Sequence, residues 1–105
     1  MFYIYIIETE KNFFYTGWTL DIKRRWNEHI SGKKGAKYTR INKVRKIAVC
    51  WKFETGSQSD ALKIEHKIKQ LTRNEKENLV HNPHSIKAIL SEASYKFTIL
   101  SIKDF

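Results

Sequence analysis

The chain begins with two runs of aromatic and β-branched residues, Phe2-Tyr3-Ile4-Tyr5-Ile6-Ile7 and Phe13-Phe14-Tyr15-Thr16-Gly17. Both runs have the composition of β-strands. The residues between them are polar and end with Asn12, and asparagine is a common turn residue. The sequence therefore predicts a β-hairpin in this stretch.

An amphipathic segment follows the hairpin. A helix is expected to begin near Thr19-Leu20-Asp21, which offers a threonine cap and an acidic side chain for the first turn. Its apolar residues recur every fourth position and predict a buried stripe, formed by Ile22, Trp26 and Ile30. Asp21, Arg25 and His29 have the same spacing one position earlier, so we expect a polar stripe along its border. An arginine and a histidine beside a tyrosine-rich strand suggest a surface that binds phosphate.

The order of these residues resembles that of the GIY-YIG nuclease superfamily, and in particular its small stand-alone bacterial members. Tyr3-Ile4-Tyr5 matches the first half-motif, with tyrosine where the founding pattern has glycine. Tyr15-Thr16-Gly17 matches the second half-motif, and Arg25 and His29 follow at the spacing of the family. The similarity extends over about residues 2–80, which makes it more specific than either half-motif alone.

A third strand and a long helix are predicted in the middle of the chain. Residues 47–53 are nearly all apolar and indicate a central strand. Ser57 or Ser59 is then expected to cap a helix that runs to about Leu71. The core side of this helix is predicted to carry Ala61, Ile64, Ile68 and Leu71, widened by Leu62.

Further elements are predicted toward the end of the sequence. Thr72-Arg73-Asn74-Glu75 has the form of a capping box and predicts a helix that ends near His81-Asn82. Pro83 is a favourable first residue for one more helix. The apolar face of that helix is expected to carry Ile86, Ile89, Leu90 and Ala93. Residues 95–102 are a candidate final strand.

The elements and the resemblance together predict an α/β fold with a three-stranded, mainly antiparallel central sheet flanked by helices. At 105 residues, the chain is expected to be a single domain over residues 1–105. Its motif core is expected at about residues 2–80. A C-terminal helix and strand are expected at about residues 83–103.

The composition is strongly basic, with 20 Lys and Arg against 11 Asp and Glu, a net charge of +9. This excess favours DNA over a membrane surface, because the basic residues are not gathered on one amphipathic helix. No apolar run approaches the roughly 20 residues that cross a bilayer. The start lacks the basic region of a signal peptide, and Cys50 is the single cysteine, so a cytoplasmic location is expected. Cys50 lies in an apolar run and is expected to be a core residue.

A basic loop is predicted after the first helix. Residues 31–37 contain two glycines and three lysines. Glycines allow a close approach of the backbone to a ligand, and lysines neutralise phosphates. The residues predicted to bind nucleic acid here are Lys33, Lys34, Lys37, Tyr38 and Arg40. A solvated loop without a binding role is the alternative.

Glu65 lies inside the apolar arc of the long helix. A buried carboxylate is costly unless it is paired or holds a metal. Periodicity alone favours pairing with a nearby Arg or Lys. The resemblance instead implies that Glu65 is the single metal-binding carboxylate, because a glutamate on the helix after the third strand has that role in the family.

The resemblance implies hydrolysis of phosphodiester bonds with one divalent ion, Mg²⁺ or Mn²⁺, on Glu65. Arg25 would bridge phosphate oxygens with its planar fork. Tyr15 is the first candidate for the general base, and Tyr5 would orient the water or Tyr15. His29 would relay the proton or bind the phosphate, since an ordinary histidine pKa suits either task.

Two further motif residues have structural interpretations. Tyr3 is expected to share a strand face with Tyr5, where ordinary packing would explain it. Gly17 would let the end of a strand approach the substrate, or would simply end the strand. Three histidines without metal-site spacing are expected at the surface, namely His66, His81 and His84. No role is assigned to Asn78, which departs from the spacing of the family.

The resemblance thus implies a metal-dependent DNA endonuclease that acts in DNA repair or processing, and the basic charge agrees with a DNA substrate. The aromatic content of 13% favours single-stranded or branched DNA, on whose unpaired bases such side chains can stack. A non-catalytic nucleic-acid-binding module on the same fold and a protein-interaction domain are the alternatives. The combination of Tyr15, Arg25 and Glu65 favours the enzyme, because a carboxylate would only repel phosphate in a pure binder. No nucleotide cofactor is expected, because no glycine-rich phosphate loop is present.

Overall fold

The computed structural model describes residues 1–31, 43–90 and 94–101. Its strands are β1 Phe2–Thr9, β2 Phe14–Thr19, β3 Val44–Phe53 and β4 Phe97–Ile99. Its helices are α1 Ile22–Ser31, α2 Gln58–Lys69 and α3 Arg73–His81, followed by a 3₁₀ helix at Pro83–Ala88. The strands form one antiparallel sheet in the order β2-β1-β3-β4. The antiparallel α/β architecture is as predicted, but the prediction of three strands is wrong.

The additional strand, β4, forms where residues near the end of the chain return to the edge of β3. Phe97 pairs with Phe53, and their ring centroids are 5.5 Å apart. The backbone N–H of Leu100 donates to the carbonyl of Cys50, which extends the contact beyond the strand. The candidate strand at residues 95–102 is thereby confirmed at its centre, although it is shorter than expected.

β1 and β2 form the predicted hairpin. Asn12 in its turn has a φ of 65°, in the left-handed region that asparagine tolerates. Buried Thr9 closes the turn, because its N–H donates to the carbonyl of Phe13 and its hydroxyl accepts from the N–H of Phe13. β2 is an outer strand of the sheet.

The alternation of side chains gives the sheet two apolar faces. One face packs against α2, α3 and the 3₁₀ helix, through Phe2, Ile4, Ile6, Val49, Trp51, Phe53, Ala61, Ile64, Ile68, Leu79 and Ile86. The other packs against α1, through Tyr5, Ile7, Ile22, Ile47 and Cys50. Burial raises the pKa of the Cys50 thiol to about 12, which agrees with the predicted packing role.

α1 begins later than its predicted threonine cap. The carboxylate of Asp21 accepts a hydrogen bond from the N–H of Arg24, 3.1 Å away, and so caps the first turn of the helix. The hydroxyl of Thr19 accepts from the N–H of Asp21 instead. The cap is therefore Asp21, and Thr19 supports it.

The buried stripe of α1 also differs from the prediction. Ile30 is 58% exposed, whereas His29 is 2% exposed. At 100° per residue, position 29 lies about 20° from Ile22 around the helix, and position 30 lies about 80° away. The apolar face therefore continues through His29, which the sequence had suggested as a border residue.

α2 and α3 begin at predicted caps. Ser57 forms a capping box with Asp60, and Thr72 forms one with Glu75. The predicted core residues Ala61, Ile64 and Ile68 are buried and Leu71 is partly buried. Leu62 is 53% exposed, so its assignment to the core side was wrong.

The helix predicted from Pro83 is a short 3₁₀ helix that ends at Ala88. Only Ile86 of its predicted apolar face is fully buried there, and Ala93 lies outside the described residues. Within the described ranges, none of the helices combines the length and apolar character required to cross a membrane.

Candidate active site

An open cleft of about 480 Å³ lies between the hairpin, α1 and α2. It brings together four of the five predicted catalytic residues, although they come from four different elements. The lining residues are Tyr5, Tyr15, Gly17, Trp18, Thr19, Leu20, Arg24, Arg25, Glu28 and Glu65. His29, the fifth predicted residue, lies behind this lining.

Gly17 makes room for the phenol of Tyr5. The two residues are paired across β1 and β2. A Cβ atom on Gly17 would lie 2.5 Å from the hydroxyl oxygen of Tyr5, closer than any ordinary contact. Gly17 also lies within β2 and does not end the strand. Its role is therefore to let the Tyr5 ring cross the neighbouring strand, which neither sequence interpretation included.

Tyr5 is held by His29. The hydroxyl of Tyr5 lies 2.9 Å from Nε2 of His29, and both side chains are almost fully buried. Burial raises the pKa of Tyr5, although a hydrogen bond from Arg25 opposes the shift. A raised pKa disfavours the phenolate, which agrees with the orienting role predicted for Tyr5.

His29 differs electrostatically from the expectation. Burial, followed by the positive charge of Arg25, lowers the pKa of His29 to about 4. The imidazole is therefore neutral at neutral pH. The roles of proton relay and phosphate ligand were predicted from an ordinary histidine pKa. The lowered pKa of His29 removes that argument for both roles.

Tyr15 is the more accessible of the two catalytic tyrosine candidates. Its side chain is partly buried and lines the cleft. Its ring centroid is 5.7 Å from that of His29, and Nζ of Lys69 lies 5.9 Å from its centroid. Tyr3 packs on the same sheet face as Tyr5, as predicted, and is not among the residues that line the cleft.

Arg25 projects from α1 into the cleft with a side chain that is 24% exposed. Its Nη1 atom is 3.2 Å from Oε1 of Glu28. Burial acts to lower the pKa of Arg25, but its interactions with Tyr5, Glu28 and Tyr15 raise it overall. The guanidinium is therefore permanently charged and is positioned by groups on two elements.

Glu65 reaches the cleft from α2. Its side chain is 18% exposed, and its Oε1 atom lies 3.3 Å from Nζ of Lys69. The pairing with a lysine that periodicity favoured is thus present, and so is the position at the cleft that the resemblance implied. A partly exposed carboxylate suits a hard divalent ion that keeps most of its waters. Among the described residues, no group of three or more His, Cys, Asp or Glu side chains could form a protein-only metal cage.

The remaining predicted residues lie elsewhere. Lys33, Lys34, Lys37, Tyr38 and Arg40 are all outside the described residues. His66, His81 and His84 are exposed, as predicted. Asn78 lines a separate groove on α3, where its Oδ1 accepts from Nδ2 of Asn82. Asn78 therefore lies away from the cleft.

Sequence reasoning missed several residues of the cleft, namely Trp18, Thr19, Leu20, Arg24 and Glu28. For Glu28 a signal was present, because its spacing of three from Arg25 on a helix places the two side chains together. For Trp18 there was none, since alternation along β2 turns it toward the opposite face from Tyr15. α2 packs against β2, and the cleft at this edge of the sheet includes Trp18.

A tyrosine-bearing hairpin, an arginine-bearing helix and a glutamate-bearing helix thus share one cleft on an α/β fold. The family model of the GIY-YIG catalytic domain matches residues 1–78. The chain therefore belongs to the GIY-YIG family, within the nuclease superfamily of that name.

Small bacterial proteins of this family are similar to the chain over most of its length. The UPF0213 protein YhbQ of Salmonella typhimurium is 42% identical over 89 residues, covering 85% of this chain and 86% of its own. The UPF0213 protein BH0048 of Halalkalibacterium halodurans is 42% identical over 78 residues, covering 74% and 80%. The solution NMR structure of UPF0213 protein BH0048 from Bacillus halodurans, at 38% identity, covers 89% of this chain and 100% of its own, with a TM-score of 0.49.

Proposed function

We propose that this chain is a divalent-metal-dependent endonuclease that hydrolyses phosphodiester bonds in DNA. The observation that carries the proposal is the convergence of Tyr15, Arg25 and Glu65 on one open cleft. Membership of the GIY-YIG family supports the same reaction class. The net charge of +9 supports a polyanionic substrate.

Arg25 is the proposed phosphate ligand. Its planar guanidinium can bind two phosphate oxygens at once and stabilise the charge that develops in the transition state. Glu28 and Tyr5 hold one side of the group, which limits the positions that the fork can adopt. A restrained fork contributes orientation as well as charge.

Tyr15 is the proposed general base, because it lines the cleft and is more exposed than Tyr5, whose hydroxyl lies in the buried bond with His29. It would take a proton from the attacking water. Tyr5, held by His29 and hydrogen-bonded to Arg25, would position the arginine and the base. These assignments divide the tyrosines into one accessible group and one buried support.

Glu65 is the proposed ligand of a Mg²⁺ or Mn²⁺ ion. An ion bound there would supply Lewis-acid stabilisation of the phosphate and the leaving oxygen. Glu65 itself supplies one hard oxygen ligand with access to solvent, and water would complete the coordination. Pairing with Lys69 keeps the carboxylate compensated in the protein without the ion.

The proposed substrate is single-stranded or branched DNA, in repair or processing. Trp18 and exposed Leu20 line the cleft and offer apolar surface to an unpaired base. A base held in a duplex would have to leave its stack before it could reach that surface. Lys33, Lys34, Lys37, Tyr38 and Arg40 remain proposed contacts to the same strand.

Cleavage assays test the proposal directly. The purified protein is incubated with single-stranded, branched and blunt duplex DNA of one sequence, with Mg²⁺, Mn²⁺ or EDTA. Metal-dependent cutting of the first two forms is expected, and Glu65→Gln should abolish it while the circular dichroism spectrum is unchanged. If the folded protein cleaves none of the DNA forms, the proposed endonuclease activity is refuted. Equal cleavage of duplex and single-stranded DNA would refute the proposed preference for single-stranded or branched DNA.

A non-catalytic DNA-binding module is the second candidate, and the basic charge is the observation that favours it. Binding measurements separate the two. If the protein only binds DNA, the Glu65→Gln variant should bind DNA more tightly than the wild type, because a negative charge is removed from the cleft. The wild-type protein would then show no cleavage. A protein-interaction domain would show no salt-dependent affinity for DNA.

A further inference from the structure

Lys69 lies at the border of the cleft, on the last turn of α2. Its Nζ atom is 3.3 Å from Oε1 of Glu65 and 5.9 Å from the centroid of the Tyr15 ring. One ammonium group therefore lies beside both the proposed metal ligand and the proposed general base. The side chain of Lys69 is 48% exposed, so it has room to move.

We propose that Lys69 holds the Glu65 carboxylate in the metal-free protein, and that it binds the substrate phosphate once a divalent ion has displaced it. The inference rests on the proposed function. It adds a second cationic phosphate ligand, which approaches from α2, to the guanidinium of Arg25, which approaches from α1.

Charge repulsion is the reason for the displacement. A divalent ion and an ammonium group on one carboxylate repel each other, and the ion has the larger charge. The pair between Glu65 and Lys69 is an i,i+4 pair on a helix with one half-exposed member, and such pairs are weak. Lysine has a flexible four-carbon stem, so the ammonium can leave without any movement of α2.

The ring of Tyr15 determines where the displaced ammonium goes. A cation is attracted to the face of an aromatic ring, and the Lys69 ammonium already lies within 6 Å of this one. Movement toward Tyr15 brings the charge toward the cleft that Tyr15 lines. A phosphate in the cleft would then have cations on two sides, because Arg25 lines the same cleft.

Lys63 provides a matched control. It is an exposed lysine on the same helix, two positions before Glu65. The Lys63→Gln variant therefore removes the same charge from α2 without removing the contact with Glu65. A change seen with Lys69→Gln and absent with Lys63→Gln reflects that contact and not the net charge.

Metal binding without DNA is the first measurement. Mn²⁺ affinity is determined by electron paramagnetic resonance for the wild type and for Lys69→Gln, Lys69→Arg, Lys63→Gln and Glu65→Gln. We expect Lys69→Gln to bind Mn²⁺ about twofold to fivefold more tightly, because the competing cation is removed. Lys69→Arg and Lys63→Gln should stay near the wild-type affinity, and Glu65→Gln should lose binding.

Cleavage kinetics at saturating Mn²⁺ are the second measurement. We expect kcat/KM of Lys69→Gln to fall by about tenfold or more, since one phosphate ligand is lost. Tighter Mn²⁺ binding with unchanged kinetics would overturn the phosphate role of Lys69. If Lys69→Gln has the wild-type Mn²⁺ affinity and the wild-type kcat/KM, while Glu65→Gln does not bind Mn²⁺, the whole inference is overturned and the proposed function stands. If Glu65→Gln binds Mn²⁺ like the wild type, the proposed metal site and this inference both fail.

Discussion

The hydroxyl oxygen of Tyr5 lies 2.9 Å from Nε2 of His29, in the buried interface between β1 and α1. The bond joins two residues that are 24 positions apart in the sequence. Because the imidazole is neutral, it can donate to or accept from the phenol without a charge being buried. This contact fixes the orientation of α1 and therefore of Arg25, which lies one turn before His29.

We expect Tyr5→Phe to reduce the free energy of unfolding by about 1–3 kcal/mol, since a buried polar group loses a hydrogen-bond partner. Tyr15→Phe should reduce the free energy of unfolding by a smaller amount, because Tyr15 is only partly buried. Urea unfolding followed by circular dichroism measures both. Equal losses in the two variants would contradict the buried role of Tyr5.

Tyr15→Phe should instead affect the chemical step. The ring can still pack, but a general base is lost, so we expect kcat to fall by roughly 10²–10⁴-fold. Single-turnover cleavage at saturating Mn²⁺ measures the effect, with DNA affinity determined separately. A Tyr15→Phe protein that cuts at the wild-type rate would show that Tyr15 is not the general base.

Gly17→Ala should displace the phenol of Tyr5. The added Cβ would lie 2.5 Å from the hydroxyl oxygen and 2.7 Å from Cζ of the ring, so the ring or the strand has to move. Overpacking of this kind costs about 1–3 kcal/mol of unfolding free energy. Thermal unfolding measures the loss, and a variant as stable as the wild type would show that the approach of Gly17 to Tyr5 is not tight.

Arg25→Lys should recover little of the activity lost in Arg25→Ala. Lysine keeps the charge but cannot form two parallel hydrogen bonds to phosphate oxygens. It also cannot reproduce the contacts of the guanidinium with Glu28 and Tyr5. Comparison of kcat/KM for the two variants on one oligonucleotide measures the effect, and near-wild-type cutting by Arg25→Lys would show that charge alone suffices.

Lowering the pH should destabilise the folded protein because of His29. Its pKa is about 4 in the folded protein and 6.5 as its ordinary value, so the unfolded chain takes up the proton first. The stabilisation is therefore complete above pH 6.5 and is lost as the pH falls from there toward 4, by up to roughly 3 kcal/mol. Urea unfolding between pH 7.5 and 4.5 measures this slope. His29→Gln should flatten it, and an unchanged slope would assign the acid sensitivity to other groups.

Local pattern predicted much of this protein. The hairpin follows from two β-prone runs around Asn12, and the starts of α2 and α3 follow from Ser57 and Thr72. Each of these features depends on residues a few positions apart, which periodicity and capping chemistry describe well. The spacing of the two half-motifs and Arg25 likewise indicates the family from the sequence alone.

Tertiary packing decided the rest. The fourth strand required Phe97 to return to Phe53, and the burial of His29 required Tyr5 to reach across Gly17. The contact of Lys69 with Tyr15 required α2 to lie beside β2. These relationships join residues far apart in the sequence, and their energies depend on distance and burial, which only the folded chain defines. The sequence by itself determined the hairpin, the capped helices and the family that the chain resembles. The tertiary structure decided the fourth strand, which side chains face the cleft and in what charge state.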